Sequence, residues 1–126
     1  MIFSFKTINE MTGREAFCVE RLRNEVFVSE QKITVPEIDD EDFYAVHVFT
    51  LNKSKDNALA TCRIFKEKSG AWYLGRVVVS KDARGMHLGS KMVEEVHHYL
   101  KVKKTSEFYF PRSFSVYKSL YIKTWS

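Results

Sequence analysis

A chain of 126 residues predicts one domain with a sizeable core and no room for a second. Its 44% hydrophobic and 14% aromatic content excludes a disordered chain, and no apolar run approaches the roughly 18 residues of a membrane-spanning helix. The net charge of +4 conceals a split, because residues 1–50 carry five Lys/Arg against ten Asp/Glu while residues 51–126 carry fifteen against six. That division suits a polyanionic ligand on the second half and a cationic one on the first; ordinary solvated surface is the plainer reading.

Residues 2–8 alternate loosely and predict an edge or near-edge strand. Met1 to Lys6 lacks the layout of a signal peptide. Thr12-Gly13-Arg14-Glu15 is a capping box, with the Thr12 hydroxyl accepting from the amide three residues on and Glu15 reaching back. The helix it opens is expected to bury Cys18, Val19, Leu22 and Val26 and to fade near Glu30 or Gln31, ahead of extended residues 32–36. From Glu37 to Asp42 five carboxylates occupy six positions, as a solvated loop or as a negative mouth for a substrate amine. Residues 43–51, 58–66 and 71–80 predict three strands with short links, an antiparallel meander. His47 stands mid-strand among apolar neighbours, either a hydrogen-bonded core histidine or a substrate contact. Cys18 and Cys62 are far apart in apolar contexts and form no metal-spaced cluster; buried thiols in a reducing cytoplasm are expected, with no metal.

The stretch 74–89, LGRVVVSKDARGMHLG, organises the second half. Three consecutive valines favour a strand buried on both faces, and from Leu88 the apolar positions Met92, Val96, Tyr99 and Leu100 fall at helical intervals. A strand, a glycine-bracketed turn and a helix start present unpaired N–H groups and the positive end of a helix dipole, which suit a phosphate or pyrophosphate. His97 and His98 are neighbours on the helix, about 100° apart, and do not form a metal pair. Beyond residues 103–104 the pattern predicts a strand over 107–110, stopped by Pro111.

Leu74-x-x-Val77-x-Val79 followed by Arg84-Gly85-x-x-Leu88-Gly89 resembles the acetyl-coenzyme A signature of the GNAT N-acetyltransferases. The resemblance implies that Val77 and Val79 offer strand backbone to the pantetheine arm. It implies too that Arg84, Gly85, Met86, His87, Leu88, Gly89 and Ser90 cradle the pyrophosphate. His87 departs from the pattern, since the first of the motif's glycines belongs there. Leu22-Arg23-x-x-Val26-Phe27-Val28-x-Glu30-Gln31, with Glu37, Asp39, Asp42 and His47, is similar to the ElaA branch of that family. A looser likeness exists to acyl-homoserine-lactone synthases. Val116-Tyr117-Lys118-Ser119-Leu120-Tyr121 resembles the family's Phe-Tyr-x-x-x-Gly helix end, with Tyr121 in place of the glycine.

The expected fold is therefore α/β, a GNAT-like mixed, mostly antiparallel sheet flanked by helices, in a single domain over 1–126. The chain stops at Ser126 about where the family continues into a last strand pair; the expectation is either a truncated or divergent member or a sheet completed by a partner chain, as in a homodimer. The expected activity is transfer of an acetyl group from acetyl-coenzyme A to a primary amine of a small molecule or peptide, in the cytoplasm, with no membrane or nucleic-acid partner. Glu37, Asp39 and Asp42 are the expected substrate contacts, while Tyr117 and His47 are the catalytic candidates. Tyr117 is either the proton donor to the leaving thiolate or a packing residue. The rival readings are a non-catalytic acyl-coenzyme A binder, an acyl-homoserine-lactone-synthase-like acyltransferase and a small basic nucleic-acid module.

Overall fold

Thr12 fixes where the first helix begins. Its hydroxyl accepts from the Glu15 amide at 3.1 Å, and Glu15 Oε1 accepts from the Thr12 amide at 2.8 Å, so local partners satisfy two N–H groups at the helix start. The computed structural model describes residues 2–32 and 36–102. Within them the chain runs β1 (Ser4–Lys6), α1 (Gly13–Asn24), β2 (Val46–Leu51), β3 (Ala58–Lys66), β4 (Trp72–Val79) and α2 (Leu88–Val102). Short 3-10 turns, Asp40–Phe43 and Lys81–Ala83, precede β2 and α2. Helix α1 continues into a wider π-helical segment, Glu25–Glu30.

The four strands pair antiparallel in the order β1-β2-β3-β4. Adjacent residues of a strand point to opposite faces, and β1 shows which helix covers which. Lys6 pairs with Glu15 of α1 at 2.9 Å, while Phe5 stacks on Tyr99 of α2 with centroids 4.4 Å apart. Helix α1 crosses the sheet from β1 towards β4, where its extension sets Phe27 beneath the Arg76 guanidinium at 5.9 Å. Cys18, Leu22 and Val26 from one helix and Met92, Val96 and Leu100 from the other join the sheet residues Val48, Cys62, Ile64 and Leu74 in the core. Both cysteines are free thiols buried there. Val77, Val78 and Val79 are all buried, as a strand covered on both faces requires.

Three departures from the sequence reading have local causes. Strand β1 is confined to three residues. Strand β2 begins at Val46, because Asp39 and Asp42 form a capping box on the preceding 3-10 turn and leave Phe43 and Tyr44 exposed. In β4, Thr61 faces Val78 but Arg63 faces Gly75, so one extra residue bulges opposite Cys62. Arg76 carries that bulge at φ 52°, where a side chain is strained. The expected strand 107–110 and helix 116–122, with Tyr117, lie outside the described residues, and the described sheet is antiparallel throughout.

No helix among the described residues is long and apolar enough to cross a membrane. No group of three or more His, Cys, Asp or Glu among them is placed to hold a metal ion.

Candidate functional site

Among the described residues β4 is a sheet edge, and it leads straight into the glycine-bracketed turn. Ser80 N–H donates to the Leu59 carbonyl at 2.8 Å and pins the exit of the strand to β3. Val77 and Val79 are both buried on this strand. Gly85 then adopts φ 90°, with nothing within 4 Å of an added Cβ; conformation, not space, demands glycine there. His87 adopts φ 57°. This left-handed region costs an L-residue about 1–2 kcal/mol, which accounts physically for the motif's glycine at that place. The imidazole's position is exposed, so the Cβ is tolerated by space and opposed by backbone.

Helix α2 follows at once. Lys91 N–H donates to His87 O at 3.1 Å as the first bond of its ladder, leaving the N–H groups of Leu88, Gly89 and Ser90 without intrahelical partners. Gly85, Met86, His87 and Ser90 are exposed around them. Backbone donors at the start of a 15-residue helix, beside an exposed glycine turn, fit a diphosphate. The Arg84 side chain, by contrast, is already engaged. Its Nη1 and Nη2 donate to both oxygens of Glu30 at 3.0 and 2.9 Å and its Nε to Val79 O at 3.2 Å. Arg84 therefore ties the end of α1 to the turn, and the anion-binding capacity of this place rests on backbone.

The acidic stretch has a different character. Arg23 on α1 donates through Nε to Glu37 Oε1, through Nη1 and Nη2 to Asp42 at 2.9 and 3.2 Å, and to Glu37 O at 3.1 Å. Arg63 on β3 forks onto Asp39 at 2.5 and 2.9 Å and reaches Asp42 at 2.9 Å. The strained Arg76 donates to Glu37 O at 3.0 Å and to Asp39 Oδ2 at 3.2 Å. His47, buried on β2 directly opposite Arg63, donates from Nε2 to the Asp42 carbonyl at 3.1 Å. The expected open negative mouth is thus a neutralised network, because Glu37, Asp39 and Asp42 spend their charge on three guanidiniums.

Titration follows this packing. Burial disfavours the Asp42 carboxylate, but hydrogen bonds from Arg23 and Arg63 outweigh it and bring the group to about 2. The Arg63 fork lowers Asp39, against a smaller opposing effect of burial. Burial lowers His47 below its usual value despite the Asp42 carbonyl, so the imidazole is neutral at pH 7. Glu20, one turn before Arg23, moves the other way: burial and the neighbouring Glu37 raise it to about 8.

Beside this network lies a pocket of about 270 Å³. Ile8, Met11, Ala16, Val19, Ile38 and Phe43 give it apolar walls, and Glu20, Arg23, Asp39, Asp42 and His47 give it a polar end. His47, Asp39 and Asp42 are therefore brought together, with Glu37 behind them, while the turn 84–90 forms a separate site at the end of β4. Sequence reasoning missed Arg63, Arg76, Glu20 and Glu30. A signal existed for the first two, since an arginine inside an apolar strand (TCRIF, LGRVVV) needs a buried partner.

Comparison with known proteins supplies the lineage. The family model described as acetyltransferase (GNAT) matches residues 15–114. A UPF0039 protein of Schizosaccharomyces pombe is 33% identical over 91 residues, covering 72% of this chain and 60% of that relative. The chain thus spans less than two thirds of the length of that relative. Among solved structures, an acyl-CoA N-acyltransferase from Pseudomonas aeruginosa is 28% identical with TM-score 0.75, covering 83% of this chain and 73% of its own. Escherichia coli ElaA shares the fold at TM-score 0.79 and 22% identity, over 94% and 84% of the two chains. With β4 running into a glycine turn and helix start, inside the span matched by the family model, the chain belongs to the acetyltransferase (GNAT) family.

Proposed function

We propose that this protein transfers an acetyl group from acetyl-coenzyme A to a primary amine. The observation that carries the reading is the β4–turn–α2 unit, whose backbone donors suit the diphosphate of an acyl-coenzyme A. In it the outward edge of β4, with Val77 and Val79, pairs with the pantetheine arm. Gly85, Met86, His87, Leu88, Gly89 and Ser90 surround the diphosphate, and Arg84 holds the turn in shape through Glu30.

The reaction has two proton demands. An alkylamine with a pKa near that of lysine is almost wholly protonated at pH 7, so freeing its lone pair costs about 4–5 kcal/mol. The neutral amine then forms the new C–N bond as the C–S bond breaks, and the departing thiolate takes up a proton. His47 is neutral and its Nε2 proton is committed to a carbonyl, which suits a residue that positions Asp42 better than one that shuttles protons. Tyr117 remains the proposed donor to the thiolate, on its match to the family's motif alone. Asp39 and Asp42 act on the acceptor through the pocket they border, with Glu37 behind them.

The test is turnover: purified protein, acetyl-coenzyme A and a panel of small amines and peptide N-termini, with release of free thiol as the readout. Thiol release that depends on one class of amine supports the reading. Tight coenzyme A binding with no amine-dependent release across the panel identifies a non-catalytic binder instead.

A further inference from the structure

The network around the α1–β2 pocket does not balance. Four carboxylates converge there, Glu20, Glu37, Asp39 and Asp42, against three guanidiniums, Arg23, Arg63 and Arg76. His47 adds no charge. The imbalance is local to one place. Glu37 keeps its side chain 7% exposed and gives Oε1 to Arg23, yet its Oε2 is buried without a hydrogen-bond partner, and the carboxyl group beside it is that of Glu20. An orphaned carboxylate oxygen at that depth is costly unless a donor arrives. Glu20 is also the residue of this pair that lines the pocket.

We propose that this pocket seats a small monocationic amine with an apolar body, whose ammonium sits against Glu20 and supplies the donor that Glu37 Oε2 lacks. The assignment rests on the reading that the acceptor is an amine and names its class. The excess is one negative charge, which one ammonium satisfies and a divalent ion overshoots. Mg²⁺ or Ca²⁺ also needs six or more oxygen ligands, and the oxygens of Asp39 and Asp42 are taken by arginines. Met11, Val19, Ile38 and Phe43 supply walls for an alkyl or aryl body, and about 270 Å³ lies just below the usual range for drug-sized ligands. The exposure of Ile38 and Phe43, 56% and 72%, leaves apolar surface at the mouth for that body to cover.

Proton linkage makes the proposal measurable. The charged and titratable groups around Glu20 come from every neighbouring element: Arg23 on α1, Glu37 and Asp39 in the linker, Asp42 in the 3-10 turn, His47 on β2, Arg63 on β3 and Arg76 on β4. Among them burial and Glu37 raise Glu20 to about 8. Below it the pocket carries the proton that the ammonium must displace, and above it the site is open.

The test is calorimetric titration of the full chain with 2-phenylethylamine and with its neutral counterpart 2-phenylethanol. It is run between pH 6.5 and 8.5 in buffers of different ionisation enthalpy, with coenzyme A titrated into the same preparation. The amine should bind at least tenfold more tightly than the alcohol, lose at least tenfold in affinity from pH 8.5 to 6.5, and release close to one proton at the lower pH. Glu20→Gln should remove both the proton release and the pH dependence while coenzyme A affinity stays within a factor of two. Equal binding of amine and alcohol, or amine binding without proton release in the unmutated chain, overturns the proposal. Coenzyme A binding alongside either failure leaves the acetyl-transfer reading standing, and amine binding without coenzyme A binding does the reverse.

Discussion

Two places in this molecule handle charge in opposite ways. The Arg23–Arg63–Arg76 network is a closed set of side chains in which guanidiniums meet carboxylates across α1, the linker, β3 and β4. The turn 84–90 is an open set of backbone groups, with its one arginine turned back onto Glu30. A run of like charges therefore says little about the potential that a ligand meets. Five carboxylates in six residues end up mostly neutralised, whereas a turn with few charges leaves three helix-start N–H groups without intrahelical partners. The first place spends most of its side-chain charge on structure and leaves a ligand only the excess at Glu20 and Glu37, whereas the second offers backbone donors.

The largest expected effect sets the two places apart. Arg23→Met leaves Glu37 and Asp42 buried without their main partner and should cost about 3–5 kcal/mol in chemical denaturation. Arg84→Met breaks a bidentate pair that is partly exposed and should cost about 1 kcal/mol in the same assay. Equal losses would mean that the turn, too, is held by its side chains.

Acid sharpens the contrast. Asp42 titrates near 2 in the folded protein, below the unfolded value near 3.9, so its contribution is fully present above pH 4 and fades as pH falls towards 2. Wild type should lose about 2 kcal/mol more over that interval than Asp42→Asn does. Parallel pH profiles for the two proteins would remove Asp42 from the network's energetics.

The smallest effect concerns the turn. His87→Gly relieves a left-handed backbone but adds freedom to the unfolded chain, and the balance should raise stability by about 0.5–1 kcal/mol. A loss of stability would show that the imidazole makes a compensating contact.

Most of the fold was legible because its signals are local. The capping box placed α1, the apolar run 58–66 between polar turns placed β3 to the residue, and the change from valines to helical spacing placed the start of α2 at Leu88. The site divides along the same line. The turn's glycine pattern is contiguous in sequence, so its residues could be named; Gly85 and His87 carry the backbone conformations that such a pattern demands. The arginine network could not be read, because Arg63 lies 24 residues from Asp39 and Arg76 lies 37 residues from it. Nothing in residues 37–42 reveals that their charge is spent. The start of β2 was misplaced for a related reason: the Asp39–Asp42 capping box outcompetes the β propensity of Phe43 and Tyr44.

The central claim is that coenzyme A is held by the helix start at 88–90. Ser90 is exposed on the first turn of α2, where an acidic residue is favourable for the helix itself, so Ser90→Glu should fold with unchanged or slightly raised stability. The same carboxylate would stand against a bound diphosphate. Calorimetric titration of coenzyme A into wild type and Ser90→Glu should show binding by the first and at least a tenfold loss, about 1.4 kcal/mol, in the second. Equal affinity in the two folded proteins would contradict the assignment.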